Sequence, residues 1–215
     1  MTYRITFAVS RRARFLSHLE TVDTLLSALR RGGYQIALSQ GMKPKPVISL
    51  ALPRAVGVES EAELADVRLT TDPAPSEVAD RLARELPDGL DVIAVEEAIG
   101  KPASSRLAAV SYRIEVADDL DWDAACERFM AADEVTVTRS MLGKADKRVD
   151  VRMFCSSIEH RPGRLLVKLE LSDRGTARPE EIANAVAAQV GATPDIARLV
   201  RTAIALRDVP AGANV

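Results

Sequence analysis

The chain has 215 residues, 47% of them apolar and 28% charged, with a mean hydropathy near zero. That composition suits one large or two small globular domains and excludes intrinsic disorder and collagen-like repeats. The net charge of −2 conceals an uneven layout, since residues 1–46 hold eight cations against two acids and residues 47–99 hold four against twelve; a near-neutral total is compatible with a basic face.

Apolar runs fall far short of the roughly 20 residues that span a bilayer, and the N-terminus lacks the apolar core of a secretory signal. No membrane association and a cytoplasmic location are expected. Tyr3, Ile5, Phe7 and Val9 alternate with polar or small neighbours and predict a half-buried strand. After a loop at 10–16, Ser17 and Glu20 supply the S-x-x-E pattern of a capping box. Leu19, Val22, Leu26 and Leu29 then recur at helical spacing until Gly32-Gly33. Short strands are predicted at 34–39 and 47–52, flanking a loop that Pro44 and Pro46 keep extended, and another at 63–70. Pro75 opens a second amphipathic helix through Val78, Leu82 and Leu86, stopped at Pro87-Asp88-Gly89, and a strand follows at 91–96.

The second half repeats this order. Tyr112-Arg113-Ile114 echoes Tyr3-Arg4-Ile5 ahead of a helix capped by Asp121, with Trp122, Ala125, Cys126, Phe129 and Met130 inward. Strands at 135–141, 148–156 and 164–172, a helix opened by Pro179 and stopped by Gly191, and a strand at 196–206 complete it. The pattern predicts an α+β fold of two tandem ferredoxin-like (split βαβ) modules with antiparallel sheets, 1–99 and 106–209, each with its helices on one face. Cys126 and Cys155 are too few for a disulfide scaffold and are expected to be reduced core residues.

The chemistry these elements offer is cationic. Arg11, Arg12 and Arg14 precede a helix N-terminus, where free backbone N–H groups and the helix dipole favour an anion. Ser17 is the cap; His18, in the first turn, is a candidate general base or a donor to a nucleobase edge. Arg30 and Arg31 close the same helix. The loop from Ser39 to Pro46 adds Gly41, which lets a backbone approach a ligand, and the cations Lys43 and Lys45. Arg14, the helix start and this loop are expected to share one phosphate-bearing ligand. A third basic patch, Arg139, Lys144, Lys147, Arg148 and Arg152, surrounds the central hairpin of the second half. No H-x-x-x-H or carboxylate–histidine cluster is present, so neither a metal nor another cofactor is expected.

Several stretches together resemble a known family. Arg14-Phe15-Leu16-Ser17-His18-Leu19-Glu20, Arg30-Arg31-Gly32-Gly33, Ser39-Gln40-Gly41-Met42-Lys43-Pro44-Lys45-Pro46 and Gly57-Val58-Glu59-Ser60-Glu61 are similar to the patterns R-F-x-S-H-L-[DE], R-R-[AG]-G, S-x-G-F-x-P-x-P and G-x-x-S-x-x-E. These patterns mark the bacterial radical SAM-associated, or radical SAM-linked, protein family, a domain of unknown function. Met42 stands where that family usually has phenylalanine, and Arg54 where an apolar residue is common. Members occur alone or fused behind a radical SAM protein, and stand-alone forms are encoded near ribonuclease E/G and ribosomal genes, which implies RNA metabolism. With two separated cysteines this chain lacks a three-cysteine iron–sulfur motif, so it would be the associate of the radical enzyme.

The expectation is a non-catalytic RNA-binding or substrate-presenting protein, with RNA and a radical SAM protein or ribonuclease E/G-type enzyme as partners. A metal-independent endoribonuclease using His18 and a pure protein-interaction adaptor are the alternatives. At 4% aromatic residues, contact with the phosphate backbone is expected rather than base stacking.

Overall fold

The computed structural model describes residues 1–140, 143 and 145–207. Lys144 of the third basic patch, position 141 of an expected strand and positions 208–209 of the expected second module lie outside them. The fold is α+β with antiparallel strand pairing. It divides into two compact units, one from Met1–Leu107 with residues 204–207, the other from Ala108–Ala203.

In the first unit β1 (Thr2–Val9) is central. It pairs with β3 (Glu59–Arg68) on one side and β4 (Leu90–Glu97) on the other, and β2 (Ile48–Leu50) adds to β3. The strand order is thus β4-β1-β3-β2. Tyr3, Ile5, Phe7 and Val9 point to one face and are fully buried there against Leu25, Ala28 and Leu29 of α1 (His18–Arg31) and Val78 and Leu82 of α2 (Pro75–Glu85). Each such burial contributes about 1.5–3 kcal/mol, and the shared face explains why the period-two and period-3.6 patterns are in phase.

Helix α1 ends where the sequence stops it. Gly33 adopts φ 87°, its N–H donates to the Arg30 carbonyl and the Tyr34 N–H donates to the Leu29 carbonyl, the paired bonds of a Schellman motif. Gly89, at φ 88°, is needed for a different reason: a Cβ there would lie 2.5 Å from the Ser10 carbonyl oxygen. The turn before β4 therefore packs directly on the segment leaving β1.

Three local expectations are corrected. Residues 34–39 form no strand; they make only isolated pairings, Ile36 with Leu69 and Leu38 with Pro46. The segment after β1 is a 3-10 turn, Arg11–Phe15. The strand expected at 148–156 is broken by a 3-10 turn, Arg152–Phe154, because the Arg152 guanidinium turns back to donate to the Met130 and Cys155 carbonyls.

The opposite face of the first sheet carries a buried ion pair. Arg4 and Asp66 are direct cross-strand partners on β1 and β3, and the guanidinium grips the carboxylate through Nε at 2.8 Å and a terminal nitrogen at 3.1 Å. The Asp66 carboxylate also accepts the Ala103 N–H at 2.6 Å. A small apolar cluster of Ala51, Leu64 and Ala103, joined by Leu107, Ile204 and Leu206, lies on the same unit.

The second unit contains β5 (Leu107–Val116) from Ala108, α3 (Trp122–Ala131), a separate ribbon of β6 (Thr136–Arg139) and β7 (Lys147–Asp150), then β8 (Cys155–Arg161), β9 (Arg164–Glu170), α4 (Pro179–Ala187) and β10 (Ile196–Leu206) as far as Ala203. Its strand order is β10-β5-β9-β8. Asp121 caps α3 by accepting the Ala124 N–H, and Trp122, Phe129, Ile114 and Ile182 are buried. No helix among the described residues is long and apolar enough to cross a membrane.

Cys126 and Cys155 are free and buried in the second unit, and burial pushes each thiol up to about 11. Because burial penalises the thiolate, alkylation by iodoacetamide at pH 8 is expected to be slow in the native protein and fast in urea. Fast native labelling would place at least one of these thiols in a water-accessible setting.

Candidate functional site

The cations of the first unit divide between the two ends of β1. Val9 leads into the turn that carries Arg11, Arg12 and Arg14 and into the start of α1. Here most of the charge is already committed. Arg11 pairs with Asp88 at 2.8 Å and Arg14 with Glu59 at 2.9 Å, while Arg12 is exposed. Arg14 also lies over the exposed Phe15 ring, 4.9 Å from its centre. Arg54, buried, donates to the carbonyls of Arg14, Leu16 and Val58, so it ties the 52–58 loop to the start of α1.

Ser17 caps α1 reciprocally: its hydroxyl accepts the Glu20 N–H at 3.3 Å and its own N–H donates to the Glu20 carboxylate at 2.8 Å. Hydrogen bonding from Ser17, side chain and backbone, holds the Glu20 carboxyl below its ordinary range. His18 opens the helix, and its Nδ1 is buried without a hydrogen-bond partner among the described residues. At the far end of α1, Arg31 pairs with Glu85 at 2.9 Å and Arg30 is exposed.

The start of β1 is arranged differently. Ala37 donates its N–H to the Arg68 carbonyl, Arg68 donates to the Val47 carbonyl, and Arg68 faces Thr2 across the sheet. This carries the Ser39–Pro46 loop to the Thr2 end. The loop is closed by the Ser39 N–H donating to the Lys45 carbonyl and the Lys45 N–H donating to the Ser39 hydroxyl. Lys43 and Lys45 are exposed on it, and Gly41 sits at φ 121°. An eight-residue strand is about 25 Å long, so the structure does not bring Arg14 and the α1 start to this loop; the shared phosphate site expected from sequence is replaced by two separate ends.

Across the open face of the same sheet runs a strap. Its first anchor is the Ala98 N–H on the Thr2 carbonyl, and its second is the Ala103 N–H on Asp66. Between them Gly100, Lys101 and Pro102 are exposed. Strap, sheet and loop enclose a cleft of about 300 Å³ lined by Thr2, Ser39, Ser49, Asp66, Arg68 and Lys101 among others. Arg68, Lys101, Lys43 and Lys45 make no ion pair among the described residues. Asp66 is the carboxylate on the floor of the cleft, and Arg4 already neutralises it.

Sequence reading did not single out Arg68, Lys101, Thr2 or Ser49. The available signal was weak: Lys101 sits between Gly100 and Pro102, the same mixture of freedom and stiffness that drew attention to the Lys43–Lys45 loop. In the second unit Lys147 and Arg148 are exposed on β7, whereas Arg139 is committed to Glu181 through two bonds of 2.6 Å. Groups of three or more metal-ligating side chains are absent among the described residues.

A family model described as "Uncharacterized protein conserved in bacteria (DUF2344)" matches residues 2–179. The chain belongs to this family. A search of the curated proteins finds no match. Among solved structures, one chain of "Crystal Structure of a Cbf5-Nop10-Gar1 Complex" is similar at a TM-score of 0.49 and 11% identity, over 94% of this chain and 48% of that one. The chain thus spans about half the length of that solved chain.

The α1 cap gives a direct check on the local assignment. Ser17→Ala is expected to cost about 1 kcal/mol of stability in urea denaturation. Because the Glu20 carboxyl is lowered in the folded state, its contribution is present above the ordinary carboxylate range and is lost as pH falls through the lowered value. Wild type and Glu20→Gln should therefore converge in stability in acid. A Ser17→Ala variant as stable as wild type would show that the box contributes nothing.

Proposed function

We propose that the chain is a non-catalytic RNA-binding protein built from two ferredoxin-like modules in tandem. The single observation that carries the binding reading is the contrast between the ends of β1. At one end the arginines are largely matched by acids; at the other, Lys43, Lys45, Arg68 and Lys101 have no ion-pair partner among the described residues and flank a cleft whose carboxylate is neutralised by Arg4. Cations left without a partner on a folded surface suit a polyanion, and phosphates supply most of the affinity of sequence-independent RNA binding.

Support for the architecture comes from the strand orders. With the separate β6–β7 ribbon set aside, β4-β1-β3-β2 and β10-β5-β9-β8 both place the first of four strands beside the third and fourth, the arrangement of a split βαβ module. Tyr3-Arg4-Ile5 and Tyr112-Arg113-Ile114 stand on β1 and β5, the first strand of each unit. His18 supports binding over cleavage, since its Nδ1 meets no second acid or base among the described residues of the kind that orients a catalytic imidazole. By resemblance to the radical SAM-associated proteins, the partner in this reading is a radical SAM protein or a ribonuclease to which the bound RNA is presented.

The test is fluorescence anisotropy with a labelled mixed-sequence single-stranded RNA over a salt series. Lys43→Ala, Lys45→Ala and Arg68→Ala should each weaken binding and reduce the log–log salt slope by about 0.7, the share of one single-strand phosphate. Arg11→Ala and Arg31→Ala, whose side chains are already paired, should change the slope far less. No binding at low salt, or a slope unchanged in all three variants, would refute the proposal.

A further inference from the structure

We propose that the cleft between the strap and the Ser39 loop holds one ribonucleotide unit of the bound strand, with phosphate on Arg68 and Lys101 and the sugar hydroxyls toward Asp66 and Ser49. This inference rests on the RNA-binding reading and names the substrate class of that site.

Size is the first argument. A volume of about 300 Å³ lies at the lower end of sites for small ligands, roughly 300–1,000 Å³. It accommodates a nucleotide and not a run of them.

Chemistry is the second, because the cleft presents three kinds of surface in a set order. Two cations without ion-pair partners among the described residues, Arg68 and Lys101, meet the charge of a phosphate, and an arginine fork suits its oxygens. The Ser39 hydroxyl accepts the Lys45 N–H, which leaves its own proton to donate to an anion. On the floor, one Asp66 oxygen accepts Arg4 Nε and the other accepts both the second Arg4 nitrogen and the Ala103 N–H. The first oxygen keeps a lone pair for a sugar hydroxyl, and the arginine behind it cancels the charge that would otherwise repel a phosphate.

The rim supplies the third surface. Ile99, 83% exposed, lies between the lining residues Ala98 and Gly100, and Leu38, 58% exposed, precedes Ser39. Two large aliphatic side chains flanking a cationic cleft offer an apolar face to a base. A bare phosphate would use only the cations, and an acidic peptide would leave the floor acceptor and hydroxyls without a matched diol.

Adenosine 5′-monophosphate, its 2′-deoxy analogue and inorganic phosphate are the probes, titrated into the full chain while backbone amide shifts are followed by NMR. The RNA anisotropy assay is run on the same samples. The expected result is that the ribonucleotide shifts the amides of Thr2, Ser39, Arg68 and Lys101, binds more tightly than either the deoxynucleotide or phosphate, and is weakened about tenfold or more by Arg68→Ala or Lys101→Ala. Both side chains line a surface cleft, and the amide spectrum itself reports whether each variant is folded.

If the RNA binds but the mononucleotide leaves these amides unmoved, or if phosphate binds as tightly as the nucleotide, the cleft assignment is overturned and the RNA-binding reading stands. If neither RNA nor mononucleotide binds, both are overturned.

Discussion

One buried ion pair organises the face of the sheet on which the cleft is built. Arg4 and Asp66 are opposed across β1 and β3, with side chains only 7% and 6% exposed. Burying two charges costs several kcal/mol per ion, and the cost is recovered only when geometry is good and the remaining hydrogen-bonding capacity is filled. Here both conditions hold: the guanidinium is bidentate and the carboxylate also takes the Ala103 N–H. An apolar pair of similar volume could hold the strands together equally well. It could not hold Ala103, so the pair fixes a connection that packing alone would leave free.

That connection links the fold to the proposed chemistry. The strap from Ala98 to Ala103 is secured at one end by a backbone bond to Thr2 and at the other by Asp66, which sets the position of Lys101 over the cleft. The same pair turns what would be an anionic floor into a neutral one. At the opposite end of β1 the acid-rich block from 47 to 99 performs a different task, since Glu59 and Asp88 take up Arg14 and Arg11. Arg11–Asp88 is an exposed pair of the sort that contributes little stability, and Arg14–Glu59 is half-buried. Their effect is to withdraw those arginines from a polyanion, whereas Lys43, Lys45, Arg68 and Lys101 at the Thr2 end make no ion pair among the described residues.

Much of this was legible in the sequence, and the parts that were not share a cause. The Ser17–Glu20 box, the Gly33 stop and the Tyr3–Val9 alternation are local signals, and the structure forms each where the pattern puts it. Residues 34–39 look like a strand by composition but make only two isolated pairings. The 148–156 run looks continuous, but the Arg152 side chain takes the Met130 carbonyl from 22 residues away. Arg68 reads as an ordinary strand end and Lys101 as part of a linker; what distinguishes them is the absence of an ion partner and a shared cleft, neither of which has a sequence spacing. The Arg14 and Lys43–Lys45 pairing failed for the same reason, because charge counted along the chain does not say which end of a strand it occupies.

Hydrogen exchange at the Ala103 amide tests the central role of the ion pair most directly. In the Arg4→Met/Asp66→Leu double variant an apolar pair holds the strands but leaves the Ala103 N–H without its acceptor, so exchange at Ala103 and along the strap is predicted to rise by about tenfold or more, with the amides of Leu25 and Leu82 in the two helices unchanged. Unchanged exchange at Ala103, or loss of protection throughout the unit, would contradict the account: the first would mean that the strap does not depend on the pair, the second that the pair supports the whole fold rather than this connection.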